Sequence, residues 1–300
     1  MTEAGTPTRQ IRFCVTPAGV RVAYATLARG PTLLVPAAWI SHLELLWQDP
    51  AARAFFTPLA AGRTLVQYDK PGCGLSDPWP GRQTLATDLQ VPQAVADHLE
   101  LERFNLLGIS TAAPLSIAFA ARHPARVGRL ILYGGYADGR QVAAAEVRAA
   151  MLAIVRAHWG LGSDVLADLF LPDAGAETRA HFTRLQRGAA PAGVACELLA
   201  QCYETRVEDQ LAAVATPTLV LHRRGDRAAR PAPGRAHGPA APGRGPGRRG
   251  PHQPADRGAA GHPGALRRGA PGAGPAAARR HLPRPDRRLV GTGGCGGGSR

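Results

Sequence analysis

The chain changes composition so sharply at residue 228 that a single folded body of 300 residues is excluded. The last 73 residues contain no Phe, Trp, Tyr, Ile, Met, Glu or Lys, yet hold 18 of the 36 Gly, 12 of the 27 Pro and 14 of the 36 Lys+Arg. Only Asp256 and Asp286 offset those arginines, so this tail carries +12 of the formal net charge of +14. Too little apolar surface is present to outweigh the entropy of ordering the backbone, and residues 228–300 are expected to be disordered. The first 227 residues are nearly neutral and alternate apolar runs with turn residues, enough for one sizeable core. The expected organisation is a flexible 1–10, a folded 11–227 and a Gly/Pro/Arg-rich tail at 228–300.

Because the positive excess sits in the tail, net charge says nothing about partners of the folded part. The tail lacks aromatic side chains on which bases stack, so only non-specific, salt-sensitive contact with nucleic acid is expected from it. Cys14, Cys73, Cys196, Cys202 and Cys295 form no metal-ligand spacing and are odd in number, which suits reduced thiols and a cytoplasmic setting. No cofactor is called for. The start of the chain does not read as a signal peptide, and no apolar run approaches the ~20 residues of a membrane span, so no membrane partner is expected.

Periodicity assigns strands to 11–15 and 20–25 (a hairpin around Thr16-Pro17-Ala18-Gly19), 32–35, 64–68, 104–107, 127–133 and 217–222. Helical spacing runs over 84–100, with Pro92 marking a kink or a new start, and over 111–122. From about 140 to 210 the pattern is helical alone (142–157, 164–170, 177–187, 194–202), as in a lid inserted between two strands. Strand–helix alternation argues for an α/β fold, a mostly parallel sheet covered by helices on both faces.

The sharpest chemical signal is Gly108-Ile109-Ser110-Thr111-Ala112, a serine between a strand and a helix. Such a turn strains the serine backbone and lifts its hydroxyl above the sheet, while the next backbone N–H, at the helix start, faces a developing oxyanion. Ala112 stands where the pattern asks for Gly. Asp69-Lys70-Pro71-Gly72-Cys73-Gly74-Leu75-Ser76 follows a strand, and Asp69 is expected to serve the turn by accepting backbone N–H bonds. Gly225-Asp226 closes the last strand, 116 residues after Ser110, where a carboxylate would orient a histidine.

With these motifs in order, residues 11–227 resemble the α/β-hydrolase superfamily in its lipase/esterase, haloperoxidase-like and aminopeptidase-like branch. The resemblance implies a helical lid over about 140–210, Ser110 as nucleophile, Asp226 as triad acid and an oxyanion hole from the backbone N–H groups of Trp39 and Thr111. It further implies a small, mainly apolar ester, thioester or amide as substrate. Pro36-Ala37-Ala38 departs from the family's frequent His-Gly. The base is the gap: a triad of this fold runs Ser, acid, His. Six histidines precede Asp226, and of the remaining four only His252 lies at a suitable distance, on a segment with nothing to hold its ring. His42 is expected to line the pocket or pair with a polar neighbour. Moving the frame at residues 251–258 by one nucleotide permits His-Ile-Asn-Leu-Leu-Ile-Glu-Glu, which resembles the segment carrying the catalytic histidine in this family. The tail is therefore expected to be a frameshift product, and the hydrolase impaired as encoded. A catalytically dead ligand-binding or sensory module is the alternative.

Overall fold

The computed structural model describes residues 9–223. The first strands, β1 (Gln10–Val15) and β2 (Arg21–Leu27), form the expected antiparallel hairpin. Its turn closes with Gly19 N–H donating to Thr16 O at 2.9 Å, and Gly19 takes the positive φ of +80° that glycine tolerates. Then follow β3 (Thr32–Val35), α1 (Leu43–Gln48), α2 (Pro50–Leu59), β4 (Thr64–Tyr68), α3 (Leu85–His98), β5 (Phe104–Ile109), α4 (Ala112–Arg122) and β6 (Val127–Tyr133). Four helices precede the last described strand: α5 (Ala145–Ala157), α6 (Trp159–Phe170), α7 (Ala176–Ala189) and α8 (Ala192–Glu204), then β7 (Thr218–Leu221). The sheet order is β1-β2-β4-β3-β5-β6-β7; pairs involving β2 are antiparallel and all others parallel.

Apolar runs without alternation become central strands because both faces are covered. Leu34, Val66, Leu106 and Leu130 point to one face and join Val95 of α3 and Phe119 of α4. Their neighbours Leu33, Val35, Leu65 and Leu107 point to the other and meet Phe56 of α2. Each fully buried leucine contributes about 1.5–3 kcal/mol. A third cluster is built from α5–α8, where Met151, Val155, Leu166, Leu185 and Leu198 pack with Trp39 and Ile40 from the loop after β3. The expected α/β fold with a mostly parallel sheet is therefore present.

Three local expectations need correcting. The stretch 36–63, read without helices, contains α1 and α2: His42 caps the first by accepting from Leu45 N–H at 3.5 Å, and Asp49 caps the second by accepting from Ala51 N–H at 3.0 Å, with Pro50 in its first turn. Pro92 starts no new helix, since α3 runs through it, buried against the sheet. Helix α6 begins at Trp159 rather than near 164, because the His158 ring accepts from Leu161 N–H at 3.0 Å and Gly162 lets α5 approach (a Cβ there would stand 2.9 Å from Val155 Cα). The 228–300 tail lies outside the described residues.

At β7, Leu219, Val220 and Leu221 are 52%, 55% and 42% exposed, unlike any central strand.

Candidate active site

Ser110 and Thr111 form the whole connection between β5 and α4. Ser110 has φ +53°, a left-handed conformation costing an L-residue roughly 1–2 kcal/mol. It is held there from both sides: its N–H donates to Tyr133 O on β6 at 2.9 Å, and its O accepts from Ala113 N–H at 3.0 Å. The reversal also needs α4 to pass almost in contact with β5 and the loop after β6. A Cβ on Gly108 would sit 2.6 Å from Ser116 Oγ and 2.9 Å from Ala113 Cα, and one on Gly135 would overlap Ala113 Cβ. Ala112, where the motif asks for Gly, is buried without disturbing the turn. Thr111 caps α4 with no side-chain hydrogen bond, so the positive end of the helix faces the serine.

The second wall is the loop after β3. Trp39 is buried, edge-on to Trp159 of α6 at 6.2 Å and to Phe170 at 6.4 Å between ring centroids. Among the described residues neither Trp39 N–H nor Thr111 N–H has a protein acceptor.

Below this loop Asp69 does the work expected of it in the turn. Its Oδ2 accepts from Leu43 N–H at 3.2 Å and Leu75 N–H at 3.0 Å, tying α1 to the turn after β4. Gly74, at φ +55°, leaves room for that carboxylate, which a Cβ would overlap. Ser76 locks the turn by donating to Asp69 O at 2.8 Å and accepting from Ala23 N–H at 3.0 Å. Burial raises the Asp69 pKa, against the pull of those two N–H donors. Its Oδ1 is buried with no partner among the described residues.

Beside the elbow is an ion pair that no local sequence pattern announced. Lys70 Nζ lies 2.7 Å from Asp88 Oδ2 with the side chains 11% and 7% exposed, and Gln201 Nε2 of α8 donates to the same oxygen at 2.9 Å. Burial alone would lower the Lys70 pKa, but Asp88 and the neighbouring Cys202 outweigh it and the net shift is upward. Burial pushes the thiols of Cys73 and Cys202 up to about 12 and about 11.

Asp226 and His252 lie outside the described residues. Among the described residues, Ile109 pairs with Tyr133, and Tyr133 pairs with Leu221. Leu221 is thus level with the residue before Ser110, two strands or about 10 Å across the sheet. Among the described residues no histidine hydrogen-bonds to Ser110. His42 caps α1, as a pocket-side residue with a polar neighbour, His98 stacks edge-on against Tyr24 at 5.5 Å, His123 lies against Phe119 at 4.6 Å, and His158 caps α6. His181 contacts Arg184 at 2.6 Å, and His222 follows β7.

Comparison with known proteins agrees with this architecture. A profile of the alpha/beta hydrolase fold family matches residues 37–188, half of the chain. A 2-hydroxy-6-oxononadienedioate/2-hydroxy-6-oxononatrienedioate hydrolase from Pseudomonas putida is 42% identical over 83 residues, 27% of this chain and 29% of that protein. A hydrolase of the same description from Cupriavidus pinatubonensis is 38% identical over 82 residues, covering 27% and 28% of the two chains. The chain thus spans under a third of the length of the curated relatives it matches. Among solved structures, an esterase from Exiguobacterium antarcticum superposes with a TM-score of 0.65 at 16% identity, covering 73% of this chain and 83% of that one. A bromoperoxidase from Bacillus anthracis does so with 0.61 at 17%, covering 71% and 81%. With the family profile resting on the elbow, the turn after β4 and the sheet that carries them, this chain belongs to the α/β-hydrolase fold family.

Proposed function

We propose that the chain is a serine hydrolase by construction, in which Ser110 Oγ attacks the carbonyl carbon of a small, mainly apolar ester, thioester or amide. The observation that carries this reading is the left-handed Ser110 backbone at the β5–α4 junction, a strain kept only where surrounding structure enforces it. As the Oγ–C bond forms, the carbonyl π pair moves to oxygen, where the N–H groups of Trp39 and Thr111 receive the charge. The hydroxyl proton passes to an imidazole and from there to the leaving group; water then repeats the sequence on the acyl-serine. Asp226 is the carboxylate assigned to orient that imidazole, and His252 the candidate imidazole by chain order. Because the four histidines that follow Asp226 in the sequence all lie in the Gly/Pro/Arg-rich tail, turnover by the chain as encoded should be severely reduced. The curated relatives suggest a 2-hydroxy-6-oxo dienedioic acid as a further substrate to assay.

The test uses p-nitrophenyl acetate and a fluorophosphonate probe on the full chain and on Ser110→Ala. Slow labelling that vanishes in Ser110→Ala supports the assignment; equal labelling of both sinks it. Full Ser110-dependent turnover would instead contradict the impaired base. A second reading, a catalytically dead ligand-binding or sensory module, rests on the same placement of those histidines in the sequence and predicts binding without any Ser110 labelling.

A further inference from the structure

A cavity of about 150 Å³ lies beneath the loop after β3, between the sheet and α7. Ile40, Leu43, Phe56, Ile109, Phe182 and Leu185 supply apolar walls from separate parts of the fold. Ile109 joins it to the elbow, and Ala37 and Ala38 join it to the oxyanion loop. An apolar cavity of this volume stays dry and takes a molecule the size of benzene. This one is not wholly apolar: Ser41, His42, Gln67 and Asp69 also line it, and the fully buried Asp69, whose carboxyl feels the Ser41 hydroxyl and His42, has an Oδ1 that completes no hydrogen bond within 3.5 Å among the described residues. A buried acceptor left open costs free energy that a donor brought by a ligand would recover. An anion would meet Asp69 with like charge in a medium of low dielectric, whereas a neutral hydroxyl would not.

We propose that this cavity is the specificity pocket of the site and holds one six-membered ring, or its aliphatic equivalent, bearing a neutral hydroxyl that donates to Asp69 Oδ1. The inference rests on the Ser110 reading only for the pocket's role as a substrate pocket, and binding is measured apart from turnover so that each can fail alone.

The experiment is calorimetric titration of the full chain, and of Ser110→Ala, with phenol, benzene, benzoate and 1-naphthol. Phenol should bind both proteins alike and at least tenfold more tightly than benzene, with benzoate and 1-naphthol excluded by charge and size. Leu185→Trp, which fills the cavity from α7, should weaken phenol at least tenfold while leaving the unfolding transition in place. Asp69→Asn, if it folds, should bring phenol and benzene within a factor of about three of each other. No phenol binding, equal affinities for phenol and benzene in the unaltered chain, or phenol binding unaffected by Leu185→Trp would each overturn the proposal, whatever Ser110 does.

Discussion

Replacing Lys70 by methionine keeps an unbranched side chain one atom shorter and removes one partner of the buried pair with Asp88. What remains is a carboxylate 7% exposed whose one described donor is Gln201 Nε2 at 2.9 Å. Breaking a buried pair from one side typically costs about 3–5 kcal/mol, because the surviving charge is left without compensation. The retained Gln201 bond puts the expectation at the lower end, about 3 kcal/mol. With a urea slope of roughly 3 kcal/mol/M for a protein of this size, the unfolding midpoint should fall by about 1 M. Removing both charges, in Lys70→Met/Asp88→Leu, should recover most of that loss, since two neutral side chains leave no stranded ion. The pH dependence carries a definite sign. The Lys70 pKa is raised in the folded protein above its ordinary 10.5, so its contribution is complete below that value and is lost as pH rises through the folded value. The gap between the parent chain and Lys70→Met should hold from pH 7 to 10 and close only in stronger alkali. A midpoint within about 0.3 M of the parent, or a double variant as unstable as the two single losses combined, would refute the account.

Other expectations follow from the elbow and the thiols. Ser110→Gly should be more stable than Ser110→Ala by about 1 kcal/mol in urea unfolding, because glycine accepts φ +53° and alanine does not; equal stabilities would remove the strain argument. Gly108→Ala should lose about 1–3 kcal/mol and the Ser110 labelling together, as its methyl pushes α4 away through Ser116 and Ala113; unchanged labelling would show the close approach to be unnecessary. Cys14, Cys73, Cys196 and Cys202 are all buried and should resist iodoacetamide at pH 8 in the native protein, then react fully in urea, as followed by mass spectrometry. Stoichiometric labelling of Cys73 or Cys202 without denaturant would contradict their burial.

What could be read in the sequence was whatever is written locally. The central strands are uninterrupted apolar runs such as Leu33-Leu34-Val35, and the elbow is five consecutive residues whose spacing already contains the turn. The Asp69 turn was legible for the same reason, since its glycines and its acceptor sit within eight residues. Helices α1 and α2 escaped because six and ten residues, broken by Pro50 and Pro58, are too short to establish a period. Of the kink or new start that Pro92 left open, the new start is absent, because burial of α3 against the sheet outweighs the one hydrogen bond the proline removes. The Lys70–Asp88–Gln201 network could not be seen at all: 113 positions separate Asp88 from Gln201, and only the folded chain brings them together. The cavity beneath the loop after β3 is equally non-local. Asp226 and His252, the candidate acid and the candidate base, fall beyond the described residues.

The state of β7 has a consequence for how the molecule comes apart. Its backbone is zipped to β6 through Gly134 N–H to Leu221 O at 2.8 Å, yet its leucines and valine keep about half their surface in water. Backbone bonds without buried side chains behind them open at small free-energy cost. This strand should therefore trade its amide protons for deuterium in advance of β3 and β5, which open only with the whole molecule. When it peels away it uncovers Leu130 and Leu132 of β6, and a sticky ribbon of that kind invites self-association well before the core around β3 and β5 has melted.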